Sequence, residues 1–242
     1  MTIKIIQNTE EKISFIANVN ESLINAIRRS SLEIPILAID EVEFYKNDSV
    51  LYDEVLALRL GLIPLKTPKD MDLQEECKCK GKGCSNCQIE FKLNAKGPCT
   101  VYSGDLKGKG DVVYEKMPIA ELADGQELSF VAIARLGKGV EHTKFSPGLV
   151  YYTYTPIIEK AKDVEGKNVI NVQEKEFSEI KKGEKIAYDF IDEIVGYNNE
   201  LIYVKPNTEE ILVTIESWGQ ISAKEILLKS IDALRKNLKQ IK

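Results

Sequence analysis

Hydrophobic positions change period twice within the first 45 residues. Ile3-Lys4-Ile5-Ile6 and Ile13-Ser14-Phe15-Ile16-Ala17-Asn18-Val19 are apolar runs on either side of the polar stretch Asn8-Thr9-Glu10-Glu11, the pattern of two strands joined by a turn. Leu23, Ile24 and Ile27 then recur at helical spacing, with Asn20 ahead as N-cap and Pro35 blocking continuation. Period two returns from Asp40 to Tyr45, where Val42 and Phe44 oppose Glu41, Glu43 and Tyr45 and predict a half-buried strand.

A second helix is expected from Tyr52 to Leu60, with Gly61 as a left-handed stop and Pro64 preventing extension. Further strands are predicted at Ile89–Asn94, Cys99–Tyr102, Leu128–Leu136 and Leu149–Pro156, between glycine-rich turns. The pattern weakens and charge rises from Glu159 to Asn207, which reads as a small separate lobe, before the apolar strand Ile211–Ile215. The last segment opens on a capping box, Ser222-Ala223-Lys224-Glu225, in which each side chain can bond the other's backbone N–H. Leu227, Ile231, Leu234, Leu238 and Ile241 follow at steps of 4, 3, 4 and 3. They form a narrow apolar stripe on a helix of about 30 Å, at ~1.5 Å per residue. Such a stripe fits a helix packed on its own domain and equally a seam for a partner.

Chemistry enters with the cysteines. Of the five, Cys77, Cys79, Cys84 and Cys87 fall together as C-x-C-x4-C-x2-C, and Cys99 stands apart beside Pro98. Two thiolate pairs on tight turns can converge on one tetrahedral ion; soft sulfur in a closed four-coordinate set suits a structural zinc ion, with an iron–sulfur cluster the less favoured alternative. All four ligands are used, so the site has no open position for substrate or water. Gly81 and Gly83 supply the backbone freedom of so short a loop. Cys99 reads as a small buried apolar residue.

Composition then removes function classes. Lys and Arg total 33 and Asp and Glu 38, a net charge of −5, which argues against a surface that wraps nucleic acid. No run approaches the roughly 18 apolar residues of a membrane span, and the N-terminus turns polar too early for a signal peptide, so a cytoplasmic protein is expected. The single histidine, His142, reads as structural. No phosphate-binding glycine loop or acidic metal motif is found, and no catalytic residue is assigned. Two other readings stay open on these residues alone: a stand-alone zinc ribbon that binds nucleic acid through Lys78, Lys80 and Lys82, and a redox carrier with an iron–sulfur centre at the four cysteines.

Asn25-Ala26-Ile27-Arg28-Arg29-Ser30, Ile34-Pro35, Ala38-Ile39-Asp40-Glu41-Val42, Leu51 through Leu65, Gly139 through Pro147 and Glu216-Ser217-Trp218-Gly219 occur in one order. Together they resemble the RNA polymerase assembly subunits, the family of the bacterial α N-terminal domain, the third-largest eukaryotic RNA polymerase II subunit and their archaeal counterparts. The resemblance implies an α+β fold. Residues 1–39, 148–156 and 207–242 would form a discontinuous α-like dimerisation domain, residues 40–147 an inserted β-rich domain with the metal loop, and residues 157–206 a small third lobe. Some archaeal members ligate an iron–sulfur cluster in that lobe, but Ile157–Lys205 holds no cysteine here. The implied role is non-catalytic within a DNA-directed RNA polymerase, a nucleotidyltransferase as a complex. The chain would pair with a smaller α-like subunit, L, and carry the two large subunits together with small subunits N and P, meeting DNA only through the complex and no membrane. Dimerisation would use Leu23, Ile24 and Ile27 of the first helix and Leu227, Ile231, Leu234 and Leu238 of the last, which moves the terminal stripe toward a partner seam. Arg28 and Arg29 are candidates for a large-subunit contact, against the alternative of a solvated helix face. One zinc ion at Cys77, Cys79, Cys84 and Cys87 completes the expectation.

Overall fold

The two N-terminal apolar runs fold as β1 (Ile3–Asn8) and β2 (Lys12–Ala17), joined by a turn in which Thr9 Oγ1 and the Lys12 amide bond at 2.9 Å. The computed structural model describes residues 2–160, 198–199 and 202–241, with side chains described for 2–155 and 207–241. Two compact units make up the chain: one of Met1–Ile6, Ser14–Ile24 and Tyr151–Thr214, the other of Gln7–Ile13, Asn25–Val150 and Ile215–Lys242. The chain folds as α+β, with helices and several antiparallel sheets. Most of the predicted third lobe lies outside the described residues.

The first unit is built on a five-stranded sheet. Its order is β1-β2-β11-β10, and β9 also pairs with β11, where β9 is Gly148–Lys160, β10 is Asn198–Asn199 and β11 is Ile202–Ser217. Ile16 and Leu212 are buried together with Ile6 against them. Ser14 Oγ and Thr214 Oγ1 meet at 3.3 Å, which satisfies two buried hydroxyls. Helix α1 (Glu21–Ser30) starts where expected, because Asn20 Oδ1 accepts the Ser22 N–H at 2.7 Å. Its first residue, Glu21, accepts hydrogen bonds from Tyr154 and Tyr152 at 2.6 and 2.9 Å.

The second unit centres on a four-stranded sheet of order β3-β8-β4-β6, formed by Ile36–Asn47, Glu127–Gly137, Gln88–Lys96 and Lys107–Gly108 respectively. Strand β5 (Cys99–Tyr102) pairs with β7 (Pro118–Leu122) in a separate ribbon. Alternation along β4 and β8 sends Phe91, Leu93, Phe130, Ala132 and Ala134 inward, where Leu56 and Leu60 of helix α2 (Asp53–Gly61) join the same core. Phe91 stands opposite Ala132, a large side chain facing a small one. A Cβ at Gly110 would sit 2.8 Å from the Phe91 ring, and one at Gly108 would sit 2.5 Å from the Glu90 carbonyl. The Gly104–Gly110 segment, one of the glycine-rich turns expected between strands, is therefore partly strand β6, laid against the Phe91 edge where only glycine fits.

Three local expectations change. Gly61 has no left-handed backbone; it is the last helical residue, Leu62 keeps helical geometry, and the stop falls to Pro64. Cys99 is exposed rather than buried: it opens β5 on the same face as Val101, but at this strand end only Val101 is covered. The last helix, α3 (Ala223–Leu238), spans 16 residues, about 24 Å at ~1.5 Å per residue, and ends before Ile241.

One polar cluster stiffens this unit. Asp40 is the unpaired residue of a β-bulge between Ile39 and Glu41 in the β3–β8 ladder, and the bulge turns its carboxylate toward two cations. Arg135 Nε lies 2.6 Å and Lys144 Nζ 2.5 Å from its oxygens, and both cations sit 5.1 Å from the Phe145 ring centre. Burial pushes the carboxyl up, but the hydrogen bonds from Lys144 and Arg135 outweigh it and hold Asp40 below the ordinary carboxylate range. A carboxyl lowered by folding stabilises the native state fully above its unfolded value of ~3.9 and loses that contribution as pH falls through its lower native value. Asp40→Asn is accordingly expected to cost about 1 kcal/mol at pH 7, after allowance for solvent screening of a partly exposed site. Urea midpoints of the two proteins should converge as pH drops below ~4; a gap that persisted at pH 2.5 would refute the ionic origin.

Candidate functional site

The metal loop hangs from the central sheet. Met71 and Leu73 pack against the core of the second unit, and the Asp72 amide bonds the Asn86 carbonyl at 2.9 Å, closing the base of the loop. Inside it, Cys84 and Cys87 form a tight turn: the Cys87 and Gln88 amides both reach the Cys84 carbonyl at 3.0 Å, and the Cys84 amide points at Cys87 Sγ, 3.4 Å away. Gln88 begins β4, so the last cysteine is fixed to the sheet. Lys80, Gly81 and Gly83 take left-handed backbone, with φ of 55°, 81° and 81°. At Gly83 the left-handed φ is what calls for glycine, since a Cβ there would meet only the movable end of the Gln88 side chain.

These turns gather the four sulfurs. All lie within 4.8 Å of one another, with Cys77–Cys84 and Cys79–Cys87 at 3.5 Å and Cys84–Cys87 at 3.8 Å. Four thiolates bonded at ~2.3 Å to one tetrahedral ion stand about 3.8 Å apart, so the space between these sulfurs fits a single ion. Cys77 and Cys87 are buried and Cys79 and Cys84 partly so, while Lys78, Lys80 and Lys82 are exposed around them. Burial pushes the Cys87 thiol up to about 12. Burial acts the same way on Cys79, but hydrogen bonds from Cys77, Cys87 and Cys84 and from the Gly83 backbone prevail and lower it to about 7. Four such thiols ionise together only around a cation, so metal uptake would release protons. The donor set can hold a metal ion and leaves no coordination position for a reactant. Cys99 lies outside it, its thiol directed at the Lys96 carbonyl. His142 caps a short 3-10 turn, its Nδ1 accepting the Lys144 amide at 3.1 Å, a structural role as expected.

The helical residues are placed as follows. On α1, Leu23 is exposed, Ile24 buried and Ile27 half-buried. Arg28 is half-buried and its guanidinium donates to Asn25 Oδ1 at 2.9 and 3.1 Å, whereas Arg29 is exposed. On α3 the buried face is Ala223, Ile226 and Ser230, packed within the second unit against the 3-10 turn Ser31–Glu33. Leu227, Ile231 and Leu234 are only half-buried, and Leu238 is 57% exposed. The stripe read from the sequence thus lies about 100° around the helix from the face its own unit covers. The capping box is formed by both of its bonds. Sequence reasoning did not single out the Asp40 cluster or the surroundings of Trp218 and Gln220, because their members are far apart in the chain and carry no spacing signal.

Residues 38–148 match the RNA polymerase Rpb3/RpoA insert domain. Over nearly its whole length the chain is 36% identical to DNA-directed RNA polymerase subunit Rpo3 of Archaeoglobus fulgidus, covering 99% of this chain and 96% of the relative. It belongs to the archaeal Rpo3 family. The Rpo3 of Methanothermobacter thermautotrophicus is 34% identical over 100% of this chain and 97% of its own, and that of Pyrococcus horikoshii is 37% identical over 93% and 90%. Rpo3 is the archaeal branch of the assembly family indicated by the helix motifs. No helix among the described residues is long and apolar enough to cross a membrane.

Proposed function

We propose that this chain is a non-catalytic assembly subunit of an archaeal DNA-directed RNA polymerase. It pairs with the α-like subunit L through α1 and α3, carries the large subunits together with N and P, and holds one zinc ion at Cys77, Cys79, Cys84 and Cys87. The observation that carries this reading is the near-complete correspondence with Rpo3 relatives at both chain ends. The half-covered stripe on α3 supports pairing, since Leu227, Ile231, Leu234 and Leu238 gain most from a second chain. Zinc is favoured by a closed set of four sulfurs a single ion apart; an iron–sulfur cluster divides the thiolates between two irons or among four and needs a wider spread. When bound, the ion supplies structure alone, tying the loop to β4. The role is exercised in the cytoplasm.

Reconstitution from separately purified subunits tests the reading. Omitting this chain should leave the large subunits unassembled and RNA synthesis at background, and adding it back should restore both. Full assembly without it would contradict the proposal.

A further inference from the structure

The four sulfurs of the metal loop are not equally placed. Cys77 and Cys87 are 5% and 0% exposed, whereas Cys79 and Cys84 are partly open to water. Each open sulfur has a buried one beside it: Cys84 Sγ lies 3.5 Å from Cys77 Sγ, and Cys79 Sγ lies 3.5 Å from Cys87 Sγ. Both pairs cross between the halves of the loop, since Cys77 and Cys79 precede Gly81 and Gly83 and the other two follow them.

A sulfur in water within reach of a second one out of it is the arrangement of an oxidisable dithiol. A peroxide converts the accessible sulfur to a sulfenic acid, and a neighbouring thiolate condenses with it to a disulfide before oxidation goes further. Disulfide sulfurs stand ~2.05 Å apart, so each pair has to close by roughly 1.5 Å. The backbone between the halves can yield that much, because two of the residues from Lys80 to Gly83 are glycine and open space surrounds Gly81.

Four cysteines allow three pairings. Linking Cys77 to Cys79 and Cys84 to Cys87 would bridge within each turn. Those turns are held by the Lys80 and Cys87 amides, each 3.0 Å from the carbonyl of Cys77 or Cys84, and Cys84 and Cys87 Sγ stand 3.8 Å apart. Linking Cys77 to Cys87 would join the two buried sulfurs, neither of which an oxidant reaches first. Only the crossed pairing gives every buried sulfur an open partner at 3.5 Å without undoing a turn.

We propose that the cysteine loop is a peroxide-sensitive switch: oxidation closes Cys77–Cys84 and Cys79–Cys87 and frees the ion, and reduction reverses both. In each pair the open thiolate takes one peroxide oxygen and hydroxide leaves. The buried thiolate then attacks that sulfur, the S–S bond forms, and the oxygen departs as a second hydroxide. Each peroxide has then accepted two electrons. Two pairs and two peroxides yield two disulfides and four hydroxides, which four protons from solvent convert to water. The ligand of a metal is the thiolate, so sulfurs joined as disulfides no longer hold the cation. Two crossed bridges keep the loop closed in its place. This rests on the metal reading proposed above.

The test uses the full chain loaded with zinc and treated with hydrogen peroxide at the lowest dose that oxidises Cys99, an exposed thiol outside the cluster. Metal is followed with a zinc-sensitive dye, linkage by tandem mass spectrometry, and loop closure by trypsin digestion. About one zinc per chain should be released. Cys77 should be found linked to Cys84 and Cys79 to Cys87, with Lys78, Lys80 and Lys82 as resistant to trypsin as before oxidation. A thiol reductant with added zinc should restore the loaded chain, and Cys99→Ser should release zinc at the wild-type rate. Zinc retained after Cys99 is oxidised, bridges within the turns, or sulfinic acids in place of disulfides overturn the proposal while the metal site stands. A chain that takes up no zinc at all overturns the metal reading and the proposal with it.

Discussion

Replacing Cys87 with serine is expected to empty the metal centre and release the loop around it, while the sheet beneath stays folded. The Cys87 sulfur is fully buried, touches Cys79 and Cys84, and directly precedes β4, so no other side chain can take its place. A serine hydroxyl is a hard donor that stays protonated, and three thiolates cannot close a tetrahedron. Structural zinc in such sites contributes about 10–16 kcal/mol of apparent binding free energy at pH 7, and that contribution is here local to the loop. Elemental analysis should fall from one zinc per chain to near zero. Trypsin should then cut at Lys78, Lys80 or Lys82, exposed already but held in closed turns. The thermal transition of the core should persist, because Phe91, Phe130 and Leu93 pack without help from the sulfurs. Assembly should weaken, and the rate of nucleotide addition per assembled enzyme should not change. A slowed chemical step in fully assembled enzyme would contradict a purely structural ion.

The second large effect is expected at the end of α3. Leu238→Asp should leave the isolated chain as stable as before, since that side chain is already mostly in water. Pairing with L should nonetheless weaken at least a hundredfold. Burying a leucine is worth about 1.5–3 kcal/mol, and an unpaired carboxylate forced into an apolar seam adds a further desolvation cost of several kcal/mol. Leu234→Asp should do the same with a modest loss of chain stability, its side chain being half-covered at home. Ser230→Asp provides the contrast: Ser230 is buried and bonds the Ile226 carbonyl, so a charge there should unfold the helix packing itself. Sedimentation velocity on the three mixtures separates these cases. Undiminished pairing by Leu238→Asp would remove the terminal stripe from the interface.

Legibility in the sequence followed the range of the interactions. The capping box of α3, the Asn20 cap of α1 and the alternation of β3, β4 and β8 depend on neighbours within a few residues, and all stand in the structure. The four-cysteine cluster was legible for the same reason, because its ligands lie within one short loop. Strand β6 was hidden because Gly108 and Gly110 are defined by the Phe91 ring, which comes from another strand. Cys99 was misjudged because residue type favours burial, whereas its position at the open end of β5, on the face that covers Val101 two residues on, leaves it in water. The Asp40 carboxylate meets cations 95 and 104 residues away, a juxtaposition no periodicity encodes. On α3 the sequence located the apolar stripe, but only packing distinguishes the covered face of Ile226 from the half-covered one of Ile231.

Native mass measurement of the chain co-produced with an α-like L subunit bears most directly on the role proposed here. One copy of each polypeptide plus a single zinc ion, surviving dilution to nanomolar concentration, is the predicted species. A monodisperse, metal-loaded chain that stays apart from L at every concentration is the outcome that contradicts it.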